Sequence, residues 1–361
     1  MGRTKFISQT RSRLLLSFSQ DRETESAATS SNVCNSSQRR RKTVNSNALV
    51  QSVEPSVMPK EISPGVFLID TLAAEISGRV ASYLVKGEKS ALVDVGYPTS
   101  APTVLAELQA TGDSDWQADF LIPTHVHLDH AGALGRLARA MPGARVLVNE
   151  HGVRHIVDPT KLIQSATRVF GSEAMSAFGT PLALPGDRVE AVRDAYNLDL
   201  GAGKSLRIFW TPGHAWHHMS VLLEEERLLI TGDAVGLYYP NFGTPIPATP
   251  PPGFDAEQYA KTLTGFMGMD LAGLLLPHFG PVREGVGDFL ATNLETVQLW
   301  VSKTFEAVRQ GESIDRILES LISDVENRTG RSREEIPDHI IRSIRLTAMG
   351  CYSHAQERAK Q

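Results

Sequence analysis

Three histidines and an aspartate lie close together in the segment Thr124–His130. His125 and His127 are two residues apart, so an extended backbone directs both side chains to the same side. Asp129 and His130 come round at the start of a predicted helix and face a second position. Imidazole nitrogens and carboxylate oxygens are typical ligands of zinc and related divalent metals. The spacing therefore predicts that one short segment contributes ligands to two metal ions.

Three further residues with metal-ligating side chains follow predicted strands. They are His214 in Thr-Pro-Gly-His, Asp233 in Thr-Gly-Asp and His278 in Pro-His-Phe-Gly. The carboxyl ends of strands in an α/β sheet meet at one edge, where such folds bind ligands. A metal-free interpretation, in which these histidines only satisfy buried hydrogen bonds, is disfavoured because packed imidazoles would leave donors facing donors. We expect all seven side chains to converge.

Short apolar runs separated by turn residues supply the elements that must position these side chains. The predicted strands are 65–69, 80–85, 91–95, 118–122, 145–148, 206–211, 220–223, 228–231 and 271–276. The helical patterns between them are 101–110, 132–140 and a segment from about residue 255. This alternation indicates an α/β sandwich.

Two further helical regions are predicted outside the sandwich. Residues 149–180 have helical apolar spacing and are expected to form an insertion that roofs the site. We expect a catalytic domain over 58–285 and a helical C-terminal extension over 286–361, which carries two apolar stripes.

Residues 1–57 differ in composition from the rest of the chain. They contain twelve serines and nine basic against four acidic residues, without a sustained apolar period, which predicts a disordered tail. The arginines and lysine of the first twenty residues, followed by Leu14–Leu16, loosely resemble an organellar transit peptide. A solvated tail, a start at Met58 and a nuclear signal at Arg39–Lys42 are the alternatives.

Charge and cysteine content restrict the partners and the compartment. Beyond residue 57 the chain carries 27 basic and 37 acidic residues, so non-specific nucleic-acid binding is not expected. No apolar run is long enough to cross a bilayer, and we expect no membrane partner. Two cysteines suit an intracellular, cytoplasmic protein, with a mitochondrial or other organellar location as the alternative. We expect a small-molecule substrate, and a homo-oligomer is compatible with the apolar C-terminal stripes.

The order Thr-His-x-His-x-Asp-His, Thr-Pro-Gly-His, Thr-Gly-Asp and Pro-His-Phe-Gly resembles the metallo-β-lactamase superfamily, specifically its glyoxalase-II-like branch. The resemblance covers roughly residues 60–285 and implies a four-layer αββα sandwich. It also implies two metal sites and their supporting residues: His125, His127 and His214 at the first site; Asp129, His130 and His278 at the second; Asp233 as the bridge; buried Asp94 supporting the metal loop; and His218 orienting a ligand.

Such a site would hold two divalent ions, with zinc favoured by the nitrogen-rich ligands and iron or manganese also fitting. The ions would share one water and lower its pKa, so that hydroxide attacks the substrate. Asp129 is a candidate proton carrier to the leaving group. Tyr238 and Tyr239 are candidate donors to the substrate, with loop packing as the alternative for both.

The resemblance favours a binuclear ester or thioester hydrolase. A mononuclear-iron persulfide dioxygenase using His125, His214 and Asp233 is the alternative within the same fold. A nuclease or phosphodiesterase is disfavoured by the acidic body, and a non-catalytic metal-binding protein is disfavoured because every expected ligand type is present.

Overall fold

The computed structural model describes residues 58–112 and 117–360. The predicted tail and transit peptide at 1–57 lie outside the described residues. The first sheet has seven strands that follow one another in chain order. They are β1 (Lys60–Ser63), β2 (Val66–Asp70), β3 (Ala81–Lys86), β4 (Ser90–Val93), β5 (Phe120–Ile122), β6 (Arg145–Asn149) and β7 (Val189–Val192). Strands β1 to β4 pair antiparallel, whereas β4 to β7 pair parallel.

The second sheet has six strands in the order β13-β12-β11-β10-β9-β8. They are β8 (Tyr196–Gly201), β9 (Lys204–Trp210), β10 (Met219–Leu223), β11 (Leu228–Ile230), β12 (Gly273–Leu276) and β13 (Gly280–Val282). All neighbours pair antiparallel except β11 and β12, which run parallel. That parallel pair brings the ends of β11 and β12, and the ligands that follow them, to the same edge.

Helices lie between the strands and after the last strand along the chain. They are α1 (Ala101–Ala110), α2 (Leu128–Ala131), α3 (Leu134–Ala140), α4 (Val153–Val157), α5 (Thr160–Phe178), α6 (Ala256–Met267), α7 (Val286–Arg309), α8 (Ile314–Thr329) and α9 (Asp338–Arg358). Helices α1 and α3 pack on the first sheet, and α6 and α7 pack on the second.

Alternation along the strands creates a separate apolar layer on each side of a sheet. In β4, Val93 points into the cluster between the sheets, whereas Leu92 points outward against Val104 of α1. Strands of the second sheet behave alike, since Ile230 faces inward and Leu229 packs with α6 and α7. Both faces of each sheet are buried, because the other sheet covers the inner face and helices cover the outer face. The four-layer αββα prediction is confirmed.

The C-terminal region is helical, as predicted. Helices α7, α8 and α9 share an apolar cluster in which the Trp300 ring is fully buried. The Trp300 indole N–H donates to Asp324 at 2.8 Å. Helix α9 also contacts the proline-rich loop 247–253, through a hydrogen bond of 3.1 Å from the Thr249 hydroxyl to the Thr347 carbonyl. The extension therefore supports a loop next to the strand ends.

The predicted insertion folds as α4 and α5. Gly171, with φ of 83°, interrupts the helical backbone within α5. Phe178 at the end of α5 stacks on Tyr97 at 4.3 Å between ring centroids, and both residues pack with Leu128 of α2. The insertion thus covers the segment that carries the histidine motif. In the described part of the chain, no helix combines the length and apolarity that a membrane crossing requires.

Candidate metal centre

The structure brings all seven predicted ligands together where strands of both sheets end. The loop after β5 and the first turn of α2 supply four of them, and the segments after β9, β11 and β12 supply one each. The ligand atoms form three overlapping groups, each with its atoms within 4.8 Å of one another: His125, His127 and His214; His125, His130 and Asp233; and Asp129, His130 and His278.

Ring nitrogens of three histidines face one point at the first position. The Nδ1 atom of His127 lies 2.9 Å from Nε2 of His125 and 3.0 Å from Nε2 of His214. The second position combines Nε2 of His278 with a carboxylate oxygen of Asp129, 3.5 Å apart. Both sets have the nitrogen-rich and mixed ligand chemistry that divalent transition metals accept.

Asp233 faces both positions with different oxygens. Its Oδ1 lies 3.4 Å from Nε2 of His130 and 3.5 Å from Nε2 of His278. Its Oδ2 lies 3.5 Å from Nε2 of His214. A carboxylate in this orientation has the geometry needed to bridge two cations.

Hydrogen bonds to the far side of two of the rings, those of His214 and His278, fix which nitrogen carries the lone pair. Nδ1 of His214 donates to the Ala248 carbonyl at 2.8 Å, and Nδ1 of His278 donates to the Arg79 carbonyl at 2.9 Å. A carbonyl only accepts, so Nδ1 carries the proton and a neutral ring presents its Nε2 lone pair to the centre. The rings are therefore oriented as metal ligands.

Two buried atoms at the centre have no hydrogen-bond partner among the described residues. They are Nε2 of His130 and Oδ1 of Asp233. Buried polar atoms are normally paired, and a lone pair facing a carboxylate oxygen needs a cation between them. The side chains present therefore fit a divalent metal.

Asp94 is fully buried and forms hydrogen bonds with the loop that carries the histidines. Its carboxylate accepts from the Thr124 backbone N–H at 2.7 Å, from the Thr124 hydroxyl at 2.9 Å and from Nδ1 of His130 at 2.9 Å. The Thr124 oxygen in turn lies 3.1 Å from Nδ1 of His125. One carboxylate thus orients two ligand rings.

His218 supports Asp233 rather than facing the cluster. Its Nε2 accepts the Asp233 backbone N–H at 2.9 Å, and its Nδ1 donates to the Thr211 hydroxyl at 2.8 Å. Gly232 is required between them, because a Cβ there would lie 2.4 Å from Nε2 of His218. The structure therefore places His218 where it fixes the position of Asp233.

The two candidate metal positions differ in their electrostatic surroundings. Burial lowers the pKa of His127 to about 3, and the neighbouring His214 adds to the shift. Burial also lowers the pKa of His278, but the carboxylates of Asp233 and Asp129 outweigh it, so the net pKa shift is upward. The first position therefore offers neutral imidazoles, whereas the second strongly attracts positive charge.

The structure places the two predicted tyrosines differently. The Tyr238 ring packs edge-on against Phe289 of α7 at 5.2 Å between centroids, in the apolar layer outside the second sheet. Tyr239 packs against His339 of α9 at 4.9 Å. Its phenol pKa responds to the centre: burial raises it to about 12, Arg79 opposes the rise, and Asp233 and Asp129 add to it. The charges of Asp233 and Asp129 therefore act on the Tyr239 phenol.

Sequence patterns missed other residues around the centre. The His217 ring lies parallel to His125 at 6.2 Å between centroids and edge-on to the His155 ring at 6.0 Å. In the loop after β2, the Arg79 carbonyl accepts from Nδ1 of His278. In the loop after β4, Tyr97 packs against Leu128, which lies between His127 and Asp129 in the chain. None of these positions has a motif of its own, so only the tertiary fold identifies them.

Comparison with known proteins yields relatives whose names record a metallo-beta-lactamase fold or a metallo-hydrolase. ST1585, a metallo-beta-lactamase fold-containing protein of Sulfurisphaera tokodaii, is 34% identical over 50% of this chain and 65% of its own length. A solved structure of ST1585 from Sulfolobus tokodaii covers 81% of this chain and 98% of that chain, with a TM-score of 0.59 and 26% identity. Probable metallo-hydrolase MJ0888 of Methanocaldococcus jannaschii is 28% identical over 44% of this chain and 68% of its own length.

Two further relatives differ in the reactions that their names record. Flavo-diiron protein FprA2 of Clostridium acetobutylicum is 24% identical over 49% of this chain and 39% of its own length. Atrochrysone carboxyl ACP thioesterase of Aspergillus fumigatus is 26% identical over 45% of this chain and 41% of its own length. The sequence matches thus span less than two thirds of ST1585 and less than half of these two relatives.

A sequence model of the metallo-beta-lactamase superfamily matches residues 77–278, more than half of the chain. The matched segment contains all seven converging side chains. Together with the two-sheet sandwich, this shows that the chain belongs to the metallo-beta-lactamase superfamily.

Proposed function

We propose that the protein is a binuclear metal-dependent hydrolase that cleaves an ester or thioester bond in a small-molecule substrate. The observation that carries this proposal is the orientation of Asp233, whose two oxygens face two separate ligand groups. A single cation would leave one of those groups without a partner in a buried site.

The ligands divide into two sets. His125, His127 and His214 would hold one cation, whereas Asp129, His130 and His278 would hold the other, with Asp233 shared. Five imidazoles favour zinc, although iron and manganese also fit this ligand set. When bound, two divalent cations would bring the pKa of a shared water near neutrality and so supply a hydroxide nucleophile.

The exposure of Asp129 supports a role in moving a proton. Its side chain is 24% exposed, whereas that of Asp233 is only 7% exposed. A carboxylate at the solvent side of the centre can accept the nucleophile's proton and pass it to the leaving group. We infer that Asp129 serves both as a ligand and as this carrier.

Two observations support an ester or thioester rather than a nucleic-acid substrate. One relative is named as an acyl-carrier-protein thioesterase. The chain beyond residue 57 has ten more acidic than basic residues, which disfavours a phosphate backbone as partner.

An iron-dependent oxidoreductase is the second candidate. The relative named a flavo-diiron protein shows that iron enzymes occur among the matches, and a mononuclear-iron dioxygenase would need only part of the ligand set. Iron content and oxygen consumption distinguish this reaction from hydrolysis.

The test combines a substrate panel with metal analysis on the purified full chain. We expect hydrolysis of thioesters or esters, without oxygen uptake, and a loss of turnover of at least about a hundredfold in Asp129→Asn. The control is Asp187→Asn, at an exposed position in the turn before β7. Oxygen consumption with persulfide substrates and no hydrolysis in the panel would overturn the proposal.

A further inference from the structure

A short turn after β9 leads from the first metal position to the surface. The His218 N–H donates to the Ala215 carbonyl at 3.2 Å, which closes a β-turn with Trp216 and His217 as its central residues. The candidate ligand His214 directly precedes this turn in the chain. The two central residues therefore have fixed backbone positions next to a candidate ligand.

His217 is the central residue that contacts the ligand rings. Its ring lies parallel to His125 at 6.2 Å and edge-on to His127 at 5.8 Å between centroids. On α4, the His155 ring meets it edge-on at 6.0 Å. His217 therefore lies between two candidate ligands of the first position and the helical insertion.

Trp216 is held by three contacts but is not covered. Its carbonyl accepts from the Trp210 indole N–H at 2.8 Å. Its ring lies edge-on to Trp210 at 4.8 Å and 5.5 Å from the His151 ring. Yet 49% of Trp216 is exposed, whereas residues 211–215 are all buried. A large ring that is fixed and exposed beside a candidate site offers a preorganised surface to a ligand.

The helical insertion supplies the other side of this surface. His151 and His155 are four residues apart, and each contacts one central residue of the turn, Trp216 and His217 respectively. Trp210 lies 5.7 Å from His151 and completes the group. We name these five rings the aromatic rim. It extends from the candidate ligands of the first position to an exposed indole.

We propose that the aromatic rim binds a planar aromatic ring on the acyl group of the substrate. This inference rests on the proposed function and narrows its substrate class. Asp129, the inferred proton carrier to the leaving group, belongs to the second metal position. The rim adjoins the first position through His217. A substrate with its leaving group at Asp129 therefore directs its acyl group towards the rim.

The chemistry of the rim favours a neutral aromatic ring over other groups. Stacked and edge-on aromatic pairs gain affinity beyond the area that they bury, whereas an aliphatic chain gains from burial alone. An indole face also attracts cations. However, Nε of Arg154 donates to Nε2 of His155 at 3.2 Å, so a guanidinium already lies at the rim and repels a second positive charge.

The test compares two thioesters of N-acetylcysteamine with acyl groups of similar size, phenylacetyl and cyclohexylacetyl. Both present the same bond to the metal centre, but only the first carries a planar ring. We expect the metal-loaded wild type to prefer the phenylacetyl thioester in kcat/KM by about twofold to tenfold, after correction for the uncatalysed hydrolysis rates. The difference should lie mainly in KM.

Trp216→Leu should bring the corrected ratio close to one, because leucine keeps an apolar side chain but removes the ring. Trp216→Phe should retain part of the preference. The ratio is the readout, since a general loss of activity cancels. Phe305→Leu is the matched control, because Phe305 is another exposed ring, 37% exposed on α7, and should leave the ratio unchanged.

A binding measurement separates the rim from hydrolysis. The ketone analogue of the phenylacetyl thioester, with CH₂ in place of sulfur, cannot be hydrolysed. We expect it to protect the tryptophan fluorescence of the wild type against quenching by acrylamide, and to give no such protection in Trp216→Leu. Protection without hydrolysis of any ester or thioester would overturn the proposed function and keep the rim as an aromatic-binding site.

Two results would overturn the rim and leave the proposed function standing. One is equal corrected kcat/KM for the two thioesters, with no protection by the ketone. The other is a Trp216→Leu variant that keeps the wild-type ratio but changes its oligomeric state in size-exclusion chromatography, which would assign the indole to an interface between copies of the chain.

Discussion

Individual side chains at the centre are held by partners on their far side. Nδ1 atoms of three ligand histidines bond to Asp94, to the Ala248 carbonyl and to the Arg79 carbonyl. Such bonds select the tautomer and hold the ring in the orientation that a metal requires. The metal affinity should therefore depend on residues that never touch the metal.

Replacing Asp94 tests this dependence. Asp94→Ala leaves Nδ1 of His130 and the Thr124 N–H without their acceptor, so we expect metal affinity to fall by about tenfold to a hundredfold. Competition with a chromophoric chelator measures it. Asp119→Ala is the control. Asp119 lies away from the centre, and its carboxylate accepts a hydrogen bond of 2.8 Å from the Ser90 N–H. Equal affinity losses in both variants would contradict the orienting role.

Glu107 gives a pH-dependent prediction away from the centre. The residue is 1% exposed, and neither carboxylate oxygen has a hydrogen-bond partner among the described residues. Burial raises its pKa to about 7, and Asp70 adds to the rise. The unfolded chain loses this proton near its ordinary value of 4.5, so the free energy of unfolding falls as pH rises from 4.5 to about 7.

Glu107→Gln removes that titration. The variant should match the wild type most closely near pH 4.5 and exceed its free energy of unfolding by about 3 kcal/mol at pH 8, measured by urea titration. Glu173→Gln, exposed on α5, should show no pH-dependent difference. A Glu107→Gln difference that is the same at every pH would show that the carboxyl is not destabilised by ionisation.

The sequence motifs located the seven candidate ligands because each has a distinctive residue type at a strand end. Arg79 and Tyr97 could not be identified in this way. Each lies in a loop without a motif, and its place in the fold depends on contacts with segments distant in sequence, such as the hydrogen bond from His278 to the Arg79 carbonyl and the stacking of Tyr97 on Phe178. The roles assigned to individual site residues stay predictions.

At the scale of elements, the long strands and helices with clear periodicity were predictable. Strands β1, β7, β8 and β13 were not, because they are short or contain polar and glycine residues; β13 has only Gly280–Val282. Neighbouring strands rather than their own composition stabilise them, as the pairing of β13 with β12 illustrates.

Helix α9 connects the C-terminal extension to a candidate ligand. A Cβ at Gly350 would lie 1.5 Å from the Thr249 carbonyl oxygen. Thr249 follows Ala248, whose carbonyl accepts from Nδ1 of His214. Any side chain at Gly350 must therefore displace the proline-rich loop and, with it, the acceptor that orients His214.

Gly350→Ala should thus lower both stability and metal affinity. We expect a loss of about 1–3 kcal/mol in the free energy of unfolding from overpacking, and weaker metal binding in the chelator competition. Gly287→Ala is the matched control in α7, since a Cβ there meets nothing within 4 Å, and alanine should slightly stabilise that helix. Normal metal affinity in a destabilised Gly350→Ala variant would refute the connection between α9 and His214.

At the scale of the whole molecule, the centre joins both sheets. The ligands after β5 belong to the first sheet, whereas His214, Asp233 and His278 follow strands of the second. Cations bound between them would connect the two halves of the sandwich. The fold class was predictable because strand and helix patterns alternate, but the domain boundaries at 57/58 and 285/286, and oligomerisation, stay predictions.

Metal removal should therefore lower the thermal stability of the entire chain. A ligand that binds only the folded state stabilises it by mass action, by about 4 kcal/mol at a thousandfold excess over Kd. We expect chelation to lower Tm by about 10 °C, as followed by calorimetry, and added zinc to restore it. An identical Tm with and without chelator would show that the centre does not bind metal tightly.

Metal stoichiometry tests the central claim most directly. Elemental analysis of the purified wild type, His127→Ala and His278→Ala compares one ligand from each position. The paired-cation account predicts two divalent ions per chain in the wild type and the loss of at least one in each variant. A wild type with a single ion or none, or variants with unchanged metal content, would contradict it.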